Sequence, residues 1–450
     1  MNTILLQPTD VLFFRDGRPM GGASAGHGAA WPLPTVINHA FHAALHRAGE
    51  VFQDVHPHRR GRSGVYSDAP EHRDRRFGSL VTAGPFPVCT NGADHTWFFP
   101  RPADADDSGT AFLHPHGTNA PSSLPLPCRY PVVSAKPPSK ETPKPWWSEG
   151  AWNAYLGSPQ RSDLAARPFF KKDGDFADTE HTYGIGINPD TGTVEEGQFY
   201  SANYLRLRED WRLGVLAAAP DKDFYHATHG NDLIRCLLNG HGTEIIAGGQ
   251  QRVCTATLET GAIGRLPLPL GATGGFTQRD GKWLVKWILL SPAIWPKMEG
   301  DGIATHDGGW LPNWICPQTG AVLLKSGDTA RQKGEGREGW RERVRRLDSL
   351  PARFVAALVA KPVVVTGWAL PNDTDRPEGG AKSTQLAVPA GAVYYFEAHS
   401  EKAANALANA LNWHGATNGT EIKNRRSTLM GEKGFGLGVC GTWKPFGDVR

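Results

Sequence analysis

The sequence predicts an α+β protein built from two βαββαβ halves with long loop insertions. Strand and helix patterns occur twice in the same order, first within residues 1–260 and again within residues 277–450. Each half ends with glycines just before its last strand, and a Pro/Gly-rich segment at 261–276 separates the halves as a linker. With 53 Gly and 35 Pro among 450 residues, the chain should also be rich in loops.

The first half begins with a buried strand at residues 3–14 that bends at Pro8. A helix follows, because Ile37 and Phe41 lie at helical spacing behind Pro34, and proline fits the first turn of a helix. The remaining elements of this half are a strand near 78–88, a strand region at 204–218, a short helix at 230–239 and a glycine-led strand at 248–258.

Three insertions interrupt this half. A basic loop at 53–76 carries six arginines and few apolar residues. Such a loop is usually solvated, although arginines near a glycine-rich surface are also what phosphate binding requires. A Pro- and Trp-rich region spans 90–170, and turn signals between Asn188 and Gly192 predict a projecting hairpin or lobe at 170–197.

The second half repeats the order of the first. Its strands are predicted at 283–290, 362–369 and 391–397, its helices at 338–359 and 400–411, and its last strand after the glycines at 431–438. In the first of these helices, Trp340, Val344 and Leu347 should face inward and four arginines outward. Pro351 should open a second helical piece.

Composition limits the classes of function. The net charge is only +3 and the pI is about 8.5, so contact with nucleic acid has to come from local basic clusters. The six cysteines are widely separated, which argues against a zinc ribbon or a disulfide framework and fits a reducing cytoplasm. We expect no membrane span, because the sequence has neither a signal sequence nor an apolar run of about 20 residues.

Catalytic and metal-binding patterns are weak. His39, His42 and His46 share one side of the first helix at a spacing compatible with a metal ligand pair. A polar helix face is the better interpretation, because no nearby cysteine or carboxylate completes a site. The motifs of serine hydrolases, P-loop proteins and HExxH metalloproteases are absent, and Gly434-Phe-Gly-Leu-Gly438 does not open a helix as dinucleotide binding requires. Ribonuclease chemistry stays open, because it needs only a histidine and a positive charge near the scissile phosphate.

Two segments are candidates for anion binding. The turn Arg15-Asp-Gly-Arg18 contains two arginines that turning does not require, so they are either solvated or bound to an anion. The closing segment has glycines at positions 431, 434, 436 and 438. These permit positive φ and close backbone approach, and free N–H groups beside Lys433 would form a cradle for phosphate. A hairpin turn would use the same residues.

Six motifs together resemble one protein family. They are Asp10-Val-Leu-Phe-Phe-Arg-Asp-Gly-Arg-Pro19, Gly248-Gly-Gln-Gln-Arg252, Lys286-Trp-Ile-Leu-Leu-Ser-Pro292, Gly367-Trp-Ala-Leu370, Ala387-Val-Pro-Ala-Gly-Ala-Val-Tyr-Tyr-Phe396 and Gly431-Glu-Lys-Gly-Phe-Gly436. From residue 4 to 443, apart from the loops at 50–76 and 90–170, the chain is similar to the RAMP-superfamily proteins that form the third subunit of the type III-B CRISPR (Cmr) effector complex.

The resemblance implies two tandem ferredoxin-like, RRM-like domains, no catalytic activity and no cofactor. It implies a subunit that holds the 5′ handle of the guide RNA (crRNA) and lies near the target RNA. The implied protein partners are the large polymerase-like Cmr subunit and the backbone RAMP subunits. The lobe at 170–197 is similar to the thumb hairpins that wedge between guide and target.

By the same resemblance, the residues that line the RNA are Arg15, Asp16, Gly17, Arg18, Ser24, His27, Trp31, Gly249, Arg252, Gly431, Lys433, Gly434, Phe435, Gly436 and Gly438. Backbone N–H groups would hold phosphates, and exposed ring faces such as those of Phe435 or Trp31 would stack on unpaired bases. Two features depart from the family. Gln250 and Gln251 stand where an acidic residue is expected in a G-G-E-x-R pattern, and the basic loop at 53–76 has no counterpart.

The sequence leaves three functions to compare. The leading hypothesis is a non-catalytic guide-RNA-binding subunit. The second is a RAMP endoribonuclease that processes precursor guide RNA, which would need a catalytic histidine. The third is an assembly subunit whose glycine loops only pack against a neighbour.

Overall fold

A computed structural model of the chain describes residues 1–15, 25–26, 31–48, 80–92, 94–105, 113–117, 123–134, 144–157, 169–219, 232–238, 242–259, 264–300, 303–329, 331–332, 334–369, 378 and 380–448. The predicted basic loop at 53–76 lies outside these residues. Within the described part, every helix is too short or too polar to cross a bilayer.

The elements of the first part, in chain order, are β1 (Asn2–Pro8), β2 (Ala25–Gly26), α1 (Pro34–Arg47), β3 (Val81–Asn91), β4 (Asp94–Pro100), β5 (His114–Pro115), β6 (Val132–Val133), β7 (Trp146–Ser148), α2 (Glu149–Gly157), β8 (Phe170–Lys171), α3 (Asp173–Phe176), β9 (Ala177–Ile187), β10 (Val194–Leu207), β11 (Trp211–Ala218), α4 (Leu233–Leu237), β12 (Thr243–Ile246) and β13 (Val253–Leu258).

The elements of the second part are β14 (Thr277–Arg279), β15 (Lys282–Leu289), β16 (Met298–Gly300), β17 (Ile303–His306), α5 (Arg337–Arg346), β18 (Ala352–Leu358), β19 (Val363–Val365), β20 (Trp368–Ala369), β21 (Gly380–Ala381), β22 (Gln385–Ala387), β23 (Val393–Ala398), α6 (Glu401–Leu411) and β24 (Gly438–Thr442). The α+β prediction is confirmed, with few helices and mostly antiparallel sheets.

The first sheet has eight strands in the order β12-β13-β1-β11-β3-β4-β7-β8, and all neighbours are antiparallel. Helix α1 covers one face of it, with Ile37 and Phe41 fully buried against β1 residues such as Ile4 and Leu6. Burial of side chains of this size stabilises the fold by about 1.5–3 kcal/mol each. The predicted helix at Pro34 is therefore confirmed.

The second sheet has the order β14-β15-β23-β18, and β24 also pairs with β15. Helix α6 covers one face, with Ala404, Leu407 and Leu411 buried. Its N-terminus is capped by Ser400, whose hydroxyl oxygen accepts from the N–H of Ala403. The predicted helix at 400–411 and the strands on either side of it are confirmed.

One prediction in the second half is wrong. Residues 352–358 form the strand β18 and not a second helical piece behind Pro351. The spacing of apolar residues in such a short run fits a helix or a strand equally well. The run forms a strand because pairing with β23 provides hydrogen-bond partners for the backbone groups of β18. The predicted strand at 362–369 contributes only β19 and β20, which pair outside the main sheet.

Helix α5 also differs from its prediction. It buries none of its residues, so Trp340, Val344 and Leu347 do not face the core. Polar contacts hold the helix instead: the Trp340 indole donates to the Thr329 carbonyl at 2.9 Å, and Arg343 pairs with Glu335 at 2.8 Å.

The hairpin of β9 and β10 confirms the turn predicted between Asn188 and Gly192. The strands extend from 177 to 207, further than the predicted lobe at 170–197. Tyr183, Ile185 and Ile187 alternate along β9 and are 69%, 51% and 58% exposed. Because alternate residues of a strand share a face, they form one apolar stripe along the hairpin.

The two sheets share an interior. Leu5 and Phe86 of the first sheet, Trp152 of α2, and Leu284 and Ile288 of β15 belong to a single apolar cluster. Since side chains alternate along a strand, Lys286 faces the same way as Leu284 and Ile288. A lysine therefore points into the shared core.

The Lys286 ammonium is neutralised by a residue of the first part of the chain. Its Nζ donates to Asp104 Oδ2 at 2.7 Å and to the Tyr155 hydroxyl at 2.6 Å, and that hydroxyl donates to Asp104 Oδ1 at 2.5 Å. Lys286 is 3% exposed and Asp104 is 1% exposed. Burial lowers the pKa of Lys286, and the Asp104 carboxylate opposes that shift. The ion pair joins the second sheet to the segment between β4 and β5.

The glycine segment before β24 makes a second contact between the two parts. Gly434 has a φ of +96° and lies directly against β3. A Cβ atom at this position would be 2.9 Å from the Thr82 carbonyl oxygen and 3.0 Å from Ala83 Cα. Only glycine fits this approach without displacing the strand.

We expect Lys286→Met to lower the free energy of unfolding by about 3–5 kcal/mol, because it leaves the Asp104 carboxylate buried without its cation. Combining it with Asp104→Leu should lower the free energy by less than the sum of the two single changes, since neither charge then remains. Urea unfolding of the full chain measures both. Lys297→Met, in the exposed pair with Glu299, is the matched control and should have no measurable effect. Equal effects of the two lysine changes would contradict this role of Lys286.

Gly434→Ala should destabilise the chain more than Gly281→Ala. Both residues have positive φ, +96° and +71°, so both variants carry a left-handed penalty of about 1–2 kcal/mol. Only at Gly434 does a Cβ also meet backbone, which adds about 1–3 kcal/mol, whereas nothing lies within 4 Å at Gly281. Thermal unfolding of both variants gives the difference. Similar midpoints would show that the loop does not press on β3.

Candidate nucleic-acid interface

Part of the predicted RNA-contacting set cannot be placed. The residues outside the described part of the chain are Asp16, Gly17, Arg18, Ser24 and His27. Arg15 is described and exposed, directly after the buried residues Phe13 and Phe14. The buried rings hold the start of this turn at the surface of the first sheet.

Trp31 is half-buried and anchored. Its indole Nε1 donates to the Pro85 carbonyl at 3.0 Å, and its ring lies edge-on to Trp146 at 5.4 Å and to Phe176 at 5.2 Å. It lines an apolar cleft of about 420 Å³ whose other walls include Leu290 of the second part of the chain. One side of the indole therefore faces a space between the two parts.

Gly249 and Arg252 lie in the turn between β12 and β13, so the predicted glycine-led strand begins only at Val253. The Arg252 guanidinium lies 4.9 Å from the centre of the Tyr204 ring. The Tyr204 hydroxyl donates to the side-chain oxygen of Gln250 at 2.7 Å. This turn therefore contacts the base of the β9–β10 hairpin.

Asp10 partly neutralises Arg252. Its carboxylate lies 3.7 Å from Arg252 and 2.9 Å from Arg206, which also pairs with Glu180. The pKa of Asp10 is lowered by a backbone hydrogen bond from Val11 and by Arg206. An RNA phosphate at Arg252 would compete with Asp10.

Several N–H groups that the predicted cradle in the closing loop would use are not free. The N–H of Lys433 donates to the Met430 carbonyl at 3.0 Å, and that of Gly434 donates to Gly431 at 3.1 Å. The N–H of Gly436 donates to the Pro292 carbonyl at 2.7 Å. These donors already have acceptors inside the protein, so they cannot hold phosphates.

The glycines of this loop serve close packing. A Cβ at Gly436 would lie 2.1 Å from the Ser427 nitrogen, and one at Gly438 would lie 2.3 Å from the Trp287 indole nitrogen. The expectation of an exposed Phe435 ring is wrong. Phe435 is 0% exposed and packs with Ile294, so it cannot stack on a base.

Lys433 remains at the surface among other basic groups. Its Nζ lies 3.0 Å from His39 Nε2, so the ammonium donates to a neutral imidazole. Burial, followed by the charges of Lys433 and Lys382, lowers the pKa of His39 to about 4. Burial is the main cause that lowers the pKa of Lys433, and Lys382 adds to it while Glu432 opposes it. The cluster of Lys433, Lys382 and His39 is therefore rich in positive charge.

Two arginines precede the loop, and the sequence analysis did not select them. Arg426 donates from Nε to the Ala410 carbonyl at 2.6 Å and from Nη2 to the Asn424 side-chain oxygen at 3.2 Å. Arg425 is half-buried, and among the described residues its guanidinium has no hydrogen-bond partner and no carboxylate within 4 Å. An Arg-Arg pair directly before a glycine-rich loop was the available sequence signal.

The histidines of α1 do not form a metal site with other described residues, among which no group of three His, Cys, Asp or Glu residues could hold a metal ion. The rings of His42 and His46 contact each other at 4.8 Å. His39 turns to Lys433 instead. The polar-face interpretation of α1 agrees with this arrangement.

One family profile matches most of the chain. The sequence profile described as CRISPR-associated protein (Cas_Cmr3) matches residues 4–307 and 315–443. No curated protein matches the chain.

Three solved structures contain chains similar to this one. One is a cryo-EM structure of the type III-B Cmr-beta complex bound to cognate target RNA, with 14% identity, a TM-score of 0.39, and coverage of 87% of this chain and 86% of that chain. A second, of the same complex with target RNA and AMPPnP, has 13% identity, a TM-score of 0.38, and coverage of 87% and 86%. A crystal structure of the Csm3-Csm4 subcomplex of a type III-A complex has 8% identity, a TM-score of 0.33, and coverage of 89% and 97%.

The family profile begins inside β1, ends directly after β24 and spans both sheets. It includes the opening turn at Arg15 and the closing loop from Gly431 to Gly438. The chain therefore belongs to the Cas_Cmr3 family of CRISPR-associated proteins.

Proposed function

We propose that this chain is a non-catalytic guide-RNA-binding subunit of a type III-B CRISPR ribonucleoprotein, in which it holds the 5′ handle of the crRNA. The observation that carries the proposal is the match to the Cas_Cmr3 family over residues 4–307 and 315–443. We infer that its partners are the large polymerase-like Cmr subunit, the backbone RAMP subunits and, near the β9–β10 hairpin, the target RNA. We expect this complex in the cytoplasm.

We further infer two tandem ferredoxin-like domains, at 1–260 and 277–450, joined by a linker at 261–276. Strand order supports this inference. In a βαββαβ unit the four strands lie in the order 4-1-3-2, which corresponds to β13-β1-β11-β3 in the first sheet and to β24-β15-β23-β18 in the second. The other strands extend these two units.

Electrostatics supports an anion at the closing loop. Burial first, and then the charges of Lys433 and Lys382, lower the pKa of His39, while Glu432 acts on Lys433 in the opposite sense. A phosphate next to Lys433 would relieve this repulsion. We propose that phosphates of the handle lie here and along the turn from Arg15 to Arg18, and that side chains, not loop N–H groups, bind them.

The endoribonuclease alternative is weaker. Among the described residues, His39 lies beside the Lys433 ammonium and has a pKa of about 4, whereas an efficient general acid or base has a pKa near the working pH. The packing of Gly434 against β3 supports the purely structural alternative, because it gives the closing loop a role that does not need RNA.

Cross-linking of the reconstituted complex to guide RNA compares these functions. Adducts at Arg15 to Arg18 and at Lys433 support the proposal, and normal assembly without adducts at either place supports a structural subunit. Incubation of the chain with precursor guide RNA tests the endoribonuclease alternative. Site-specific cleavage that depends on His39 would overturn the non-catalytic assignment.

Lys433→Ala should weaken binding of the handle and lower the slope of log K against log salt by roughly one unit, because one phosphate contact is lost. Lys402→Ala, at an exposed position of α6, removes the same charge elsewhere and should leave the slope unchanged. Fluorescence anisotropy with labelled guide RNA at several salt concentrations measures both. Equal slopes for the two variants would argue against a phosphate at Lys433.

Guide RNA should raise the pKa of His39 above its value of about 4 in the free chain, because a bound phosphate stabilises the imidazolium. Lys433→Met should also raise it without RNA, since one of the neighbouring charges that lower it is removed. NMR titration of the full chain with ¹³C-labelled histidine measures the pKa, and His39→Gln assigns the signal. If RNA leaves this pKa unchanged, the phosphate does not lie at this cluster.

A further inference from the structure

Among the described residues, Arg425 is a cation without an ion-pair partner. Its side chain is half-buried, and its Nε is inaccessible to water and has no acceptor. Burial lowers the pKa of Arg425 to about 10, and Glu432, which opposes this shift, is too far away for an ion pair. A half-buried charge without a partner destabilises the folded state.

The next residue shows what a structural arginine looks like in the same place. Arg426 is also half-buried, but the Ala410 carbonyl and the Asn424 side chain accept its hydrogen bonds. Arg426 therefore fixes the segment before the loop. The protein offers nothing equivalent to Arg425 in the described part of the chain.

The position of Arg425 connects it to the closing loop. A Cβ built on Gly431 would lie 3.4 Å from Arg425 Cβ and 3.9 Å from Arg425 Cδ, so the side chain runs alongside the turn that carries Lys433. Because Gly431 has no side chain, the turn packs closely against the aliphatic part of Arg425.

We propose that Arg425 binds a phosphate group of the guide RNA and that this phosphate is the anion the folded chain lacks. This inference rests on the proposed function, because it takes the ligand to be RNA. Arginine suits such a site because its planar guanidinium donates two parallel hydrogen bonds to one phosphate. Arg425 then destabilises the free chain and stabilises the RNA complex.

The proposal predicts effects of opposite sign for one substitution. Arg425→Met keeps the aliphatic length and removes the charge, so it should raise the midpoint of thermal unfolding of the free chain. It should weaken binding of guide RNA about tenfold and lower the salt slope by roughly one unit. Arg425→Lys should keep the slope and recover part of the affinity, since it restores the charge without the planar fork.

Arg353→Met is the matched control. Arg353 is also half-buried with an unpartnered Nε, but it lies in β18 across from Glu397, away from the closing loop. The Arg353→Met variant should leave the slope of log K against log salt unchanged. A lower unfolding midpoint for Arg425→Met with unchanged RNA affinity would overturn the proposal, as would an equal loss of affinity in both variants.

A small anion separates this proposal from the proposed function. Inorganic phosphate should raise the unfolding midpoint of the wild-type chain more than that of Arg425→Met, whereas wild type and Arg353→Met should respond alike. If this holds but cross-linking finds no RNA at the loop, the anion site stands and the guide-RNA assignment fails. If RNA cross-links to Lys433 and phosphate acts equally on all three chains, the guide-RNA assignment stands and the role of Arg425 fails.

Discussion

The buried ion pair of Lys286 and Asp104 is the constraint on which the arrangement of the two sheets depends. Alternation along β15 forces Lys286 to the side that faces the first sheet, where a lone ammonium could not be buried. Asp104 and the Tyr155 hydroxyl complete its hydrogen bonds. Apolar contact between the sheets is not directional, whereas this pair is satisfied in only one relative position of the two parts.

The closing glycine loop acts within the same arrangement. Gly434 lets the chain approach β3, and Gly436 and Gly438 let it pass Ser427 and Trp287. This packing engages the N–H groups of Lys433, Gly434 and Gly436 and buries Phe435, so this part of the loop is a structural joint between the two parts. It also brings Lys433 to His39 of α1, which places charges from distant parts of the sequence in one cluster.

Arginines near this joint divide into two kinds. Arg426 has its hydrogen bonds inside the protein and holds the segment before the loop in place. The Nε of Arg425 has no hydrogen-bond partner among the described residues. A protein that binds a polyanion gains from such a residue, because the phosphate supplies the missing partner. At the position of Arg425, the proposal therefore sets the stability of the free chain against its affinity for RNA.

The sequence by itself determined the α+β class, the order of most elements, the β9–β10 turn and the family, because these follow from local spacing and from motifs. It could not determine that residues 352–358 are a strand, since a short apolar run becomes a strand only by pairing with β23. It also could not separate the two uses of glycine in the closing loop. Positive φ serves phosphate binding and close packing equally, and only the neighbours of Gly434 and the burial of Phe435 show that packing is the use here. The hydrogen-bond partners of the arginines are also decided by the tertiary structure. Arg425 and Arg426 are identical and adjacent in sequence, and only the surrounding acceptors distinguish the partnered arginine from the unpartnered one.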